Sequence, residues 1–352
     1  MTLFTRQSLT AYAAPLCETV ADLPAPQGTE VLVRVACCGV CHSDIHLQDG
    51  YFSLGGDRKL DITPGRSLPF TLGHEIAGTV EAAGPDANAK PGDPVAVFPW
   101  IGCGRCPACL RDEEVLCIAP RHLGVTVDGG YATHVLVPHP RYLLDYAPLP
   151  APLAAAYMCS GVTAYSALKK VSARAAQGPV LIVGLGGVGM MALAFARTLF
   201  PHAPLVADID PAKREAALAA GAAAAFDPAD ADARKALVKA TQGGVLAACD
   251  FVGSDKSLAF ANGAIAKGGK IVVAGLLGGA FTTPVPMFPL KVMTIEGTFV
   301  GSLAEAREML DLARTGTPPQ VPITARPLVE AQRSLDDLRA GRVLGRVVLT
   351  AA

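Results

Sequence analysis

Short runs of apolar and β-branched residues, separated by glycine and proline, fill the first part of the chain. The clearest run covers 31–35, and shorter ones follow at 78–81, 94–97 and 131–137. Many short strands bounded by turn residues are typical of an antiparallel, barrel-like domain. The pattern therefore predicts a mostly β segment that ends near Pro150.

Beyond Pro150, apolar strands alternate with Ala-rich helical stretches. The predicted strands cover 180–183, 204–207, 247–252 and 270–274, and the predicted helices cover 188–199 and 211–220. Strand–helix alternation is typical of a parallel, doubly wound sheet. The tail adds one amphipathic helix from Leu303 and a second over 328–339. A closing strand, 345–349, is expected to return to the first domain.

Composition and charge narrow the class of protein. A chain of 352 residues is long enough for two domains, and 51% hydrophobic with 17% charged residues is typical of a core-rich globular protein. The formal net charge of −1 offers no broad electrostatic surface to nucleic acid or to an anionic membrane, so neither partner is expected. The N-terminal segment contains Arg6, Gln7 and Glu18 and no unbroken apolar run, which argues against a signal peptide. No segment has the apolar length of a membrane span, and we expect a cytoplasmic protein.

Four of the ten cysteines form a spaced cluster. The cluster is Cys103-x2-Cys106-x2-Cys109-x7-Cys117. Without an export signal, metal binding is favoured over disulfides, and four thiolates complete the tetrahedral shell of one structural zinc ion. A nucleic-acid-binding zinc ribbon is the alternative, but acidic residues 112–114 follow Arg111 here. We predict that four further cysteines, Cys17, Cys37, Cys38 and Cys249, are small buried apolar residues.

The segment 39–46 carries a thiol, a hydroxyl, a carboxylate and two imidazoles. Cys41 is a candidate thiolate ligand for zinc. Ser43 and His46 are candidates to pass a proton, and Asp44 is a candidate to orient a ligating histidine. For this segment taken alone, a buried cysteine with polar loop neighbours remains an alternative.

Two further segments offer ligands that would complete a site around Cys41. His74 and Glu75 lie between apolar neighbours, where a lone histidine more often belongs to the core. Beside Cys41 and Cys159, His74 becomes a candidate ligand. Two cysteines and one histidine make a three-ligand zinc site with the fourth position open for substrate, and Glu75 is placed to help exchange ligands.

A glycine-rich loop follows the predicted strand 180–183 and opens a helix, which is the context that a dinucleotide-binding loop requires. Its residues are Gly184, Gly186, Gly187, Val188 and Gly189. Their backbone N–H groups would reach a pyrophosphate at the helix N-terminus. Asp208 ends the next strand, where a carboxylate accepts hydrogen bonds from an adenosine ribose and repels a 2′-phosphate. The next residue is not basic, and Lys213 is placed to reach the same ribose, so we predict NAD rather than NADP.

In combination, these motifs resemble those of the zinc-dependent alcohol dehydrogenases of the medium-chain dehydrogenase/reductase superfamily. The matching motifs are Gly73-His74-Glu75-x2-Gly78-x5-Gly84, Cys41-His42-Ser43-Asp44, the four-cysteine cluster, Cys159-x-Gly161-x-Thr163 and the dinucleotide loop. The resemblance implies an α/β protein with a GroES-like, β-rich catalytic domain formed by 1–155 and 291–352. A Rossmann domain at 156–290 would be inserted in it, with the active site in the cleft between the two. The resemblance further implies NAD, two zinc ions per chain and a homodimer or homotetramer.

The resemblance also implies roles for individual residues. Cys41, His74 and Cys159 would bind the catalytic zinc with Glu75 close by, and Asp44 would hydrogen-bond His74. Ser43 would take the alcohol proton and pass it through the nicotinamide ribose to His46. His42 and Arg346 would contact the pyrophosphate, and Thr163, Gly275 and Leu276 would lie near the nicotinamide.

The expected substrate pocket has apolar walls. Trp100 precedes the four-cysteine cluster, where the family often has a pocket aromatic residue, and Leu276 and 299–300 are candidates to close the far side. No charged residue falls at these positions. We therefore predict uncharged hydrophobic primary or secondary alcohols, with their aldehydes and ketones, as substrates.

The segment 49–72 is longer than in liver-type or yeast-type members of the family. Its Tyr51 and Phe52 belong either to a surface insertion or to a pocket wall or lid. A polyol or amino-alcohol dehydrogenase, which would need polar pocket residues, is the alternative within the family. The intact ligand set argues against a zinc-free quinone reductase, and the intact proton path argues against a non-enzymatic role.

Overall fold

Two large β-sheets organise the chain in the computed structural model, which describes residues 2–351. The strands of the first part are β1 (Leu3–Leu9), β2 (Cys17–Asp22), β3 (Val31–Gly39), β4 (Tyr51–Ser53), β5 (Lys59–Asp61), β6 (Phe70–Thr71), β7 (Glu75–Ala83), β8 (Pro94–Val97), β9 (His134–Val137) and β10 (Leu143–Asp145). The later strands are β11 (Val180–Val183), β12 (Leu205–Ala207), β13 (Ala224–Phe226), β14 (Val245–Asp250), β15 (Ile265–Val273), β16 (Thr294–Gly297), β17 (Ile323–Pro327) and β18 (Arg346–Thr350). The helices are α1 (His42–Asp49), α2 (Ala151–Ala156), α3 (Val162–Ala175), α4 (Gly187–Leu199), α5 (Pro211–Ala219), α6 (Ala233–Ala240), α7 (Asp255–Ala264), α8 (Met287–Lys291), α9 (Leu303–Thr315) and α10 (Ala331–Arg339).

The first domain is built around β3, most of whose residues are buried on both faces of the sheet. β3 pairs antiparallel with β7, β9 and β18, in a sheet of order β10-β8-β7-β3-β18-β17. A smaller sheet has the order β2-β1-β6. The predicted β-rich domain is confirmed. The closing strand also returns to it as predicted, since Val348 pairs with Gly39.

The second domain contains a parallel sheet of order β13-β12-β11-β14-β15-β16. Every adjacent pair in it is parallel, and the order is that of a Rossmann fold with β11 at the centre. β11 is a run of four buried apolar residues, as expected where helices cover both faces of a sheet. The predicted doubly wound sheet is therefore confirmed. β16 continues this sheet beyond residue 290, because it hydrogen-bonds to β15.

A π-helical turn, Tyr157–Gly161, joins α2 to α3. It packs against β7 of the first domain and α4 of the second. Such turns frequently occur at functional sites. Cys159 in this turn is thereby held at the junction of the two domains.

The segment 49–72 contains a hairpin at the same junction. Its strands β4 and β5 pair antiparallel, and the turn between them contains Gly55 in a left-handed conformation, at φ +89°. A Cβ on Gly55 would lie 2.9 Å from the backbone carbonyl carbon of Gly279, in the second domain. The hairpin therefore reaches across to the second domain instead of lying on open surface.

Two further expectations concern burial. Cys37, Cys38 and Cys249 are buried as predicted, but Cys17 is exposed, because it begins the edge strand β2. Within residues 2–351, no helix combines the length and the hydropathy needed to cross a membrane.

Candidate active site and metal centres

Three separate segments meet at one buried cluster of metal-binding side chains. Cys41, His74, Glu75 and Cys159 each offer a ligand atom, and these atoms all lie within 4.8 Å of one another. All four side chains are buried. The fold thus brings together the residues that were predicted from the sequence to bind a catalytic zinc.

The neighbouring secondary structure fixes each of these residues. Cys41 is the N-cap of α1, two residues after β3. Glu75 begins β7, which pairs with β3, and His74 directly precedes it. Cys159 comes from the π-helical turn. A Cβ on Gly39 would clash with the Glu75 carboxylate, so glycine at this position leaves room for the buried acid.

A buried carboxylate orients His74. Its Nδ1 lies 3.3 Å from Oδ1 of Asp44. Oδ2 of Asp44 accepts hydrogen bonds from the backbone N–H of Cys41 and from the hydroxyl of Tyr131, each at 2.9 Å. With Nδ1 facing Asp44, Nε2 of His74 is left for a metal ion. Tyr131 was missed at the sequence level, because it lies in a predicted strand far from Asp44 along the chain.

Burial and neighbouring charges shift the ionisation of this cluster. The Cys159 thiol and the His74 imidazole hold the pKa of Cys41 well below its ordinary value, which favours the thiolate that zinc requires. Burial raises the pKa of Glu75 to about 7, although the positive charge of Arg346 opposes that rise. Arg346 forms a buried ion pair with Oε1 of Glu75.

The donor set fits zinc. Two sulfurs and one imidazole nitrogen are ligands that zinc prefers, and three protein ligands leave a position for substrate. Nε2 of His74 and Oε2 of Glu75 are buried without a hydrogen-bond partner among residues 2–351. Unpaired buried polar atoms are costly, and a cation would satisfy both.

A second compact cluster again has its ligand atoms within 4.8 Å of one another, and it consists of Cys103, Cys106, Cys109 and Cys117. Sγ of Cys106 lies 3.5 Å from Sγ of Cys109 and 3.8 Å from Sγ of Cys117. Tetrahedral zinc with bonds of about 2.3 Å holds its sulfurs about 3.8 Å apart, so this spacing fits the ion. The backbone N–H of Cys109 lowers the pKa of the Cys106 thiol to about 6. Cys103 completes the set, with its backbone N–H donating to Sγ of Cys117.

The candidate proton path lies on α1. Ser43 and His46 are three residues apart on this helix and so share one face. Both are half-buried, and the His46 ring packs against Phe52 with 4.7 Å between ring centroids. Burial lowers the pKa of His46 below its ordinary value, so its imidazole is neutral near neutral pH and able to accept a proton.

The glycine loop forms an open cradle at the N-terminus of α4. Gly184 has φ +89°, in the left-handed region that favours glycine. A Cβ on Gly189 would clash with the backbone carbonyl of Gly184. A Cβ on Gly186 would meet open space. Gly187 lies against the side chain of Arg346. Val188 follows in the first turn of the helix, and the cradle fits a pyrophosphate.

Asp208 lies beside this loop, directly after β12. Its Oδ2 accepts a hydrogen bond from the backbone N–H of Leu185 at 2.6 Å, and its Oδ1 accepts one from Asp210 at 2.9 Å. Lys213 in α5 is close by, with Nζ 3.9 Å from Oδ2 of Asp210. The carboxylate is therefore held between the loop and α5, which suits a ribose diol.

The remaining candidate cofactor residues come from three elements. His42 opens α1 and is exposed, whereas Thr163 lies in the first turn of α3 and is buried. Gly275 follows β15, where a Cβ would clash with the backbone of Val252. Leu276 is 46% exposed and so remains available to a ligand.

An aromatic wall stands beside the catalytic cluster. The Trp100 ring lies 5.3 Å from the His74 ring, 5.4 Å from His122 and 5.5 Å from Phe299, measured between centroids. Trp100 is buried, and its Nε1 donates a hydrogen bond to the carbonyl of Met158. His122 was missed at the sequence level. Its only sequence signal is its place between the four-cysteine cluster and β9.

The hairpin places its two aromatic residues in different surroundings. Phe52 faces His46, whereas the ring of Tyr51 is covered by the ammonium of Lys59, at 3.7 Å from its centroid. Neighbouring residues of a strand point to opposite faces, which accounts for the difference. Phe52 is thus the hairpin aromatic that stands next to the candidate proton path.

Known proteins share both the sequence pattern and the fold. Residues 27–148 match the family described as alcohol dehydrogenase GroES-like domain, and residues 187–315 match that described as zinc-binding dehydrogenase. An NAD-dependent alcohol dehydrogenase from Sulfurisphaera tokodaii is 37% identical over 329 residues, which cover 93% of this chain and 94% of that protein.

Solved structures agree with this match. The alcohol dehydrogenase from Aeropyrum pernix superposes with a TM-score of 0.86 at 30% identity, covering 98% of this chain and 99% of the other. The D-arabinose dehydrogenase from Sulfolobus solfataricus superposes with a TM-score of 0.85 at 25% identity, covering 99% and 100%. The chain therefore belongs to the zinc-type, NAD-dependent alcohol dehydrogenases of the medium-chain dehydrogenase/reductase superfamily.

Proposed function

We propose that this enzyme oxidises uncharged, mainly apolar primary or secondary alcohols to aldehydes or ketones, reversibly, with NAD and two zinc ions per chain. The observation that carries the proposal is the contact between the Trp100 ring and the His74 ring, at 5.3 Å between centroids. An apolar aromatic surface thereby adjoins the cluster that would hold the reacting oxygen. An alkyl or aryl group on the substrate would pack against that surface.

Cys41, His74 and Cys159 would hold the catalytic zinc, with Glu75 beside it, and the four-cysteine cluster would hold the structural zinc. When bound, zinc supplies Lewis acidity toward the hydroxyl oxygen of the alcohol, and NAD⁺ supplies the hydride acceptor. Asp44 keeps the His74 ring turned so that Nε2 faces the cluster. A zinc ion bound by four thiolates has no open coordination position, so the ion held by Cys103, Cys106, Cys109 and Cys117 would stabilise the fold and would not bind substrate.

Ser43 would accept the hydroxyl proton of the alcohol, and His46 would receive it at the distal end of the path. A neutral imidazole is needed for that step, and burial of His46 favours it. Phe52 packs against the His46 ring at this end of the path. The dinucleotide cradle and Asp208 would bind the pyrophosphate and the adenosine ribose.

A substrate panel tests this proposal. It runs from ethanol to hexanol and includes cyclohexanol, benzyl alcohol, glycerol and sorbitol. Each additional buried methylene should improve transition-state binding by about 0.8 kcal/mol until the pocket is full. The apolar assignment fails if kcat/KM is highest for glycerol or sorbitol.

A sugar or polyol dehydrogenase is the second candidate. Its support is the likeness to the D-arabinose dehydrogenase and the presence of His122 in the aromatic wall. The glycerol and sorbitol arms of the panel decide between the two candidates. An amino alcohol would need an anionic anchor, and the aromatic wall of Trp100, His122 and Phe299 provides none.

We also propose that copies of this chain associate through the open edge of β16. The segment that precedes β16 in the chain carries exposed apolar side chains, which are Val285, Leu290 and Val292. Apolar residues beside an unpaired sheet edge favour association with a second copy. Light scattering after gel filtration would report a dimer or tetramer, and Leu290→Glu should lower the measured mass.

Because both thiolate clusters require reduced cysteines, we propose a cytoplasmic location.

A further inference from the structure

His122 occupies a position in the active site that packing alone does not explain. The residue is 5% exposed, in the loop between the four-cysteine cluster and β9. Its ring stacks on Phe299, with 6.1 Å between centroids and an interplanar angle of 29°, and meets Trp100 edge-on. Trp100 packs in turn against His74. His122 is therefore one side chain away from a proposed zinc ligand.

One nitrogen of the His122 ring has no hydrogen-bond partner in the part of the chain that the structure describes. Nε2 of His122 is buried, and it has no partner among residues 2–351. The hydrogen bonds formed by His122 go through its backbone carbonyl, which accepts from Val125, Thr126 and Val127. Buried polar side-chain atoms are nearly always paired, and an unpaired one costs free energy. A phenyl or leucyl side chain would supply the same packing without that cost.

The chemistry of the ring indicates what would satisfy it. Burial lowers the pKa of His122 to about 4, so the ring is neutral near neutral pH. A neutral imidazole offers one N–H donor and one acceptor nitrogen and carries no charge. It complements a hydroxyl group or a carbonyl oxygen, and it provides no charge to compensate a buried carboxylate or phosphate.

We propose that His122 is a specificity-determining residue that hydrogen-bonds a second, uncharged oxygen of the substrate. The preferred substrates would then be apolar alcohols that carry a hydroxyl or carbonyl group near the reacting carbon, such as vicinal diols and hydroxyketones. This inference rests on the function proposed above. It adds a polar requirement to one wall of a pocket that is otherwise apolar.

The test compares hexanol with the vicinal diol of the same chain length, in wild-type enzyme and in His122→Phe, His122→Leu and His122→Gln. A lost hydrogen bond should lower the kcat/KM for the diol roughly threefold to tenfold in the Phe and Leu variants, while the value for hexanol holds or rises. His122→Gln keeps a donor and an acceptor and should retain most of the wild-type preference for the diol. Phe299→Leu changes the same wall without removing a polar group, so it should affect both alcohols alike.

A ratio of the kcat/KM values for diol and hexanol that is the same in the wild type and the three His122 variants, while hexanol is oxidised, would overturn the inference and leave the proposed function standing. Equal loss of both activities in the Phe and Leu variants, with no rescue in Gln, would likewise assign His122 a purely structural role. Wild-type enzyme that oxidises neither alcohol would overturn both proposals together.

Discussion

Arg346, at the start of the last strand, forms a buried ion pair with Glu75 beside the proposed zinc ligands. The same side chain lies against Gly187 of the dinucleotide cradle. One guanidinium therefore connects the metal cluster of the first domain with the cofactor loop of the second. Burial of the pair raises the pKa of Glu75 to about 7, so its charge depends on this partner.

Removing the guanidinium should destabilise the fold and weaken cofactor binding. Arg346→Met leaves a buried carboxylate without its partner, and breaking a buried ion pair costs about 3–5 kcal/mol. The double variant Glu75→Gln with Arg346→Met should recover part of that loss in a denaturant unfolding experiment. Arg346→Lys keeps the charge and should lose less stability. If Arg346→Met unfolds like the wild type and binds NAD equally well, the pair has no such role.

Asp208 should set the choice of cofactor. Its carboxylate is held beside the glycine loop by the N–H groups of Leu185 and Asp210, where it would repel a 2′-phosphate. Kinetics with both cofactors should give a higher kcat/KM for NAD than for NADP. Asp208→Ser should narrow the difference, while Asp210→Asn, two residues away, should change it less. A wild-type preference for NADP would contradict this role.

The proton path should be sensitive to Ser43 and less so to His46. General acid–base groups typically contribute ~10²–10⁴-fold to rate, so Ser43→Ala should lower kcat within that range. Ser43→Thr keeps the hydroxyl and is the matched control. His46→Ala should cost less, because water can replace the distal group. Steady-state turnover with hexanol checks all three, and a nearly unchanged kcat in Ser43→Ala would mean that the path runs elsewhere.

Glu296 should make the stability of the Rossmann sheet depend on pH. Glu296 pairs with Lys170 of α3 and Lys270 of β15. The hydrogen bonds from these two lysines lower the pKa of Glu296, and the one from Lys170 has the larger effect. Its contribution is therefore present above the ordinary pKa of glutamate and is lost as pH falls through the lowered folded value. Pairs exposed to this degree contribute about 0.2–1 kcal/mol each.

Thermal unfolding of Glu296→Gln, compared with the wild type, checks this expectation. The variant should melt at a lower temperature at neutral pH, and the difference should shrink in acid. Glu330→Gln should show a smaller difference, because the one ion pair of Glu330 among residues 2–351 joins it to Arg333 one turn away. A Glu296→Gln deficit that grows in acid would contradict the assignment.

The sequence predicted those features that local pattern and spacing encode. The glycine loop, the four-cysteine spacing and the alternation of strands and helices each follow from a few neighbouring residues, and the fold agrees with them. The π-helical turn around Cys159 was not predicted, because apolar periodicity does not distinguish it from an α-helix. The short strand β16 was also not predicted, since it is identified only by its partner β15.

Contacts between residues distant in sequence were harder to predict. Tyr131 reaches Asp44 of α1 because the segment before β9 hydrogen-bonds to residues 71–73, just before β7, and no local motif indicates that pairing. His122 joins Trp100 and Phe299 only after the loop beyond the four-cysteine cluster has folded back. For the segment 49–72 the sequence left a surface insertion and a pocket wall or lid as alternatives, because the contact of its hairpin with Gly279 depends on the arrangement of the two domains.

Zinc dependence is the central claim, and the two cysteine sets should respond differently to substitution. Cys106→Ser should lose one zinc and much of the thermal stability, since four thiolates hold that ion in a closed site. Cys41→Ser should lose the other zinc and all turnover while the protein stays folded. Circular dichroism and elemental analysis on the same samples distinguish the two outcomes.

The most direct measurement titrates zinc back into metal-depleted wild-type enzyme while NADH formation from hexanol and NAD⁺ is followed. We expect two zinc ions per chain at full occupancy, with turnover that is absent from the depleted enzyme and returns as the site formed by Cys41, His74 and Cys159 refills. Full turnover in enzyme that retains zinc only at the four-cysteine cluster would contradict the account.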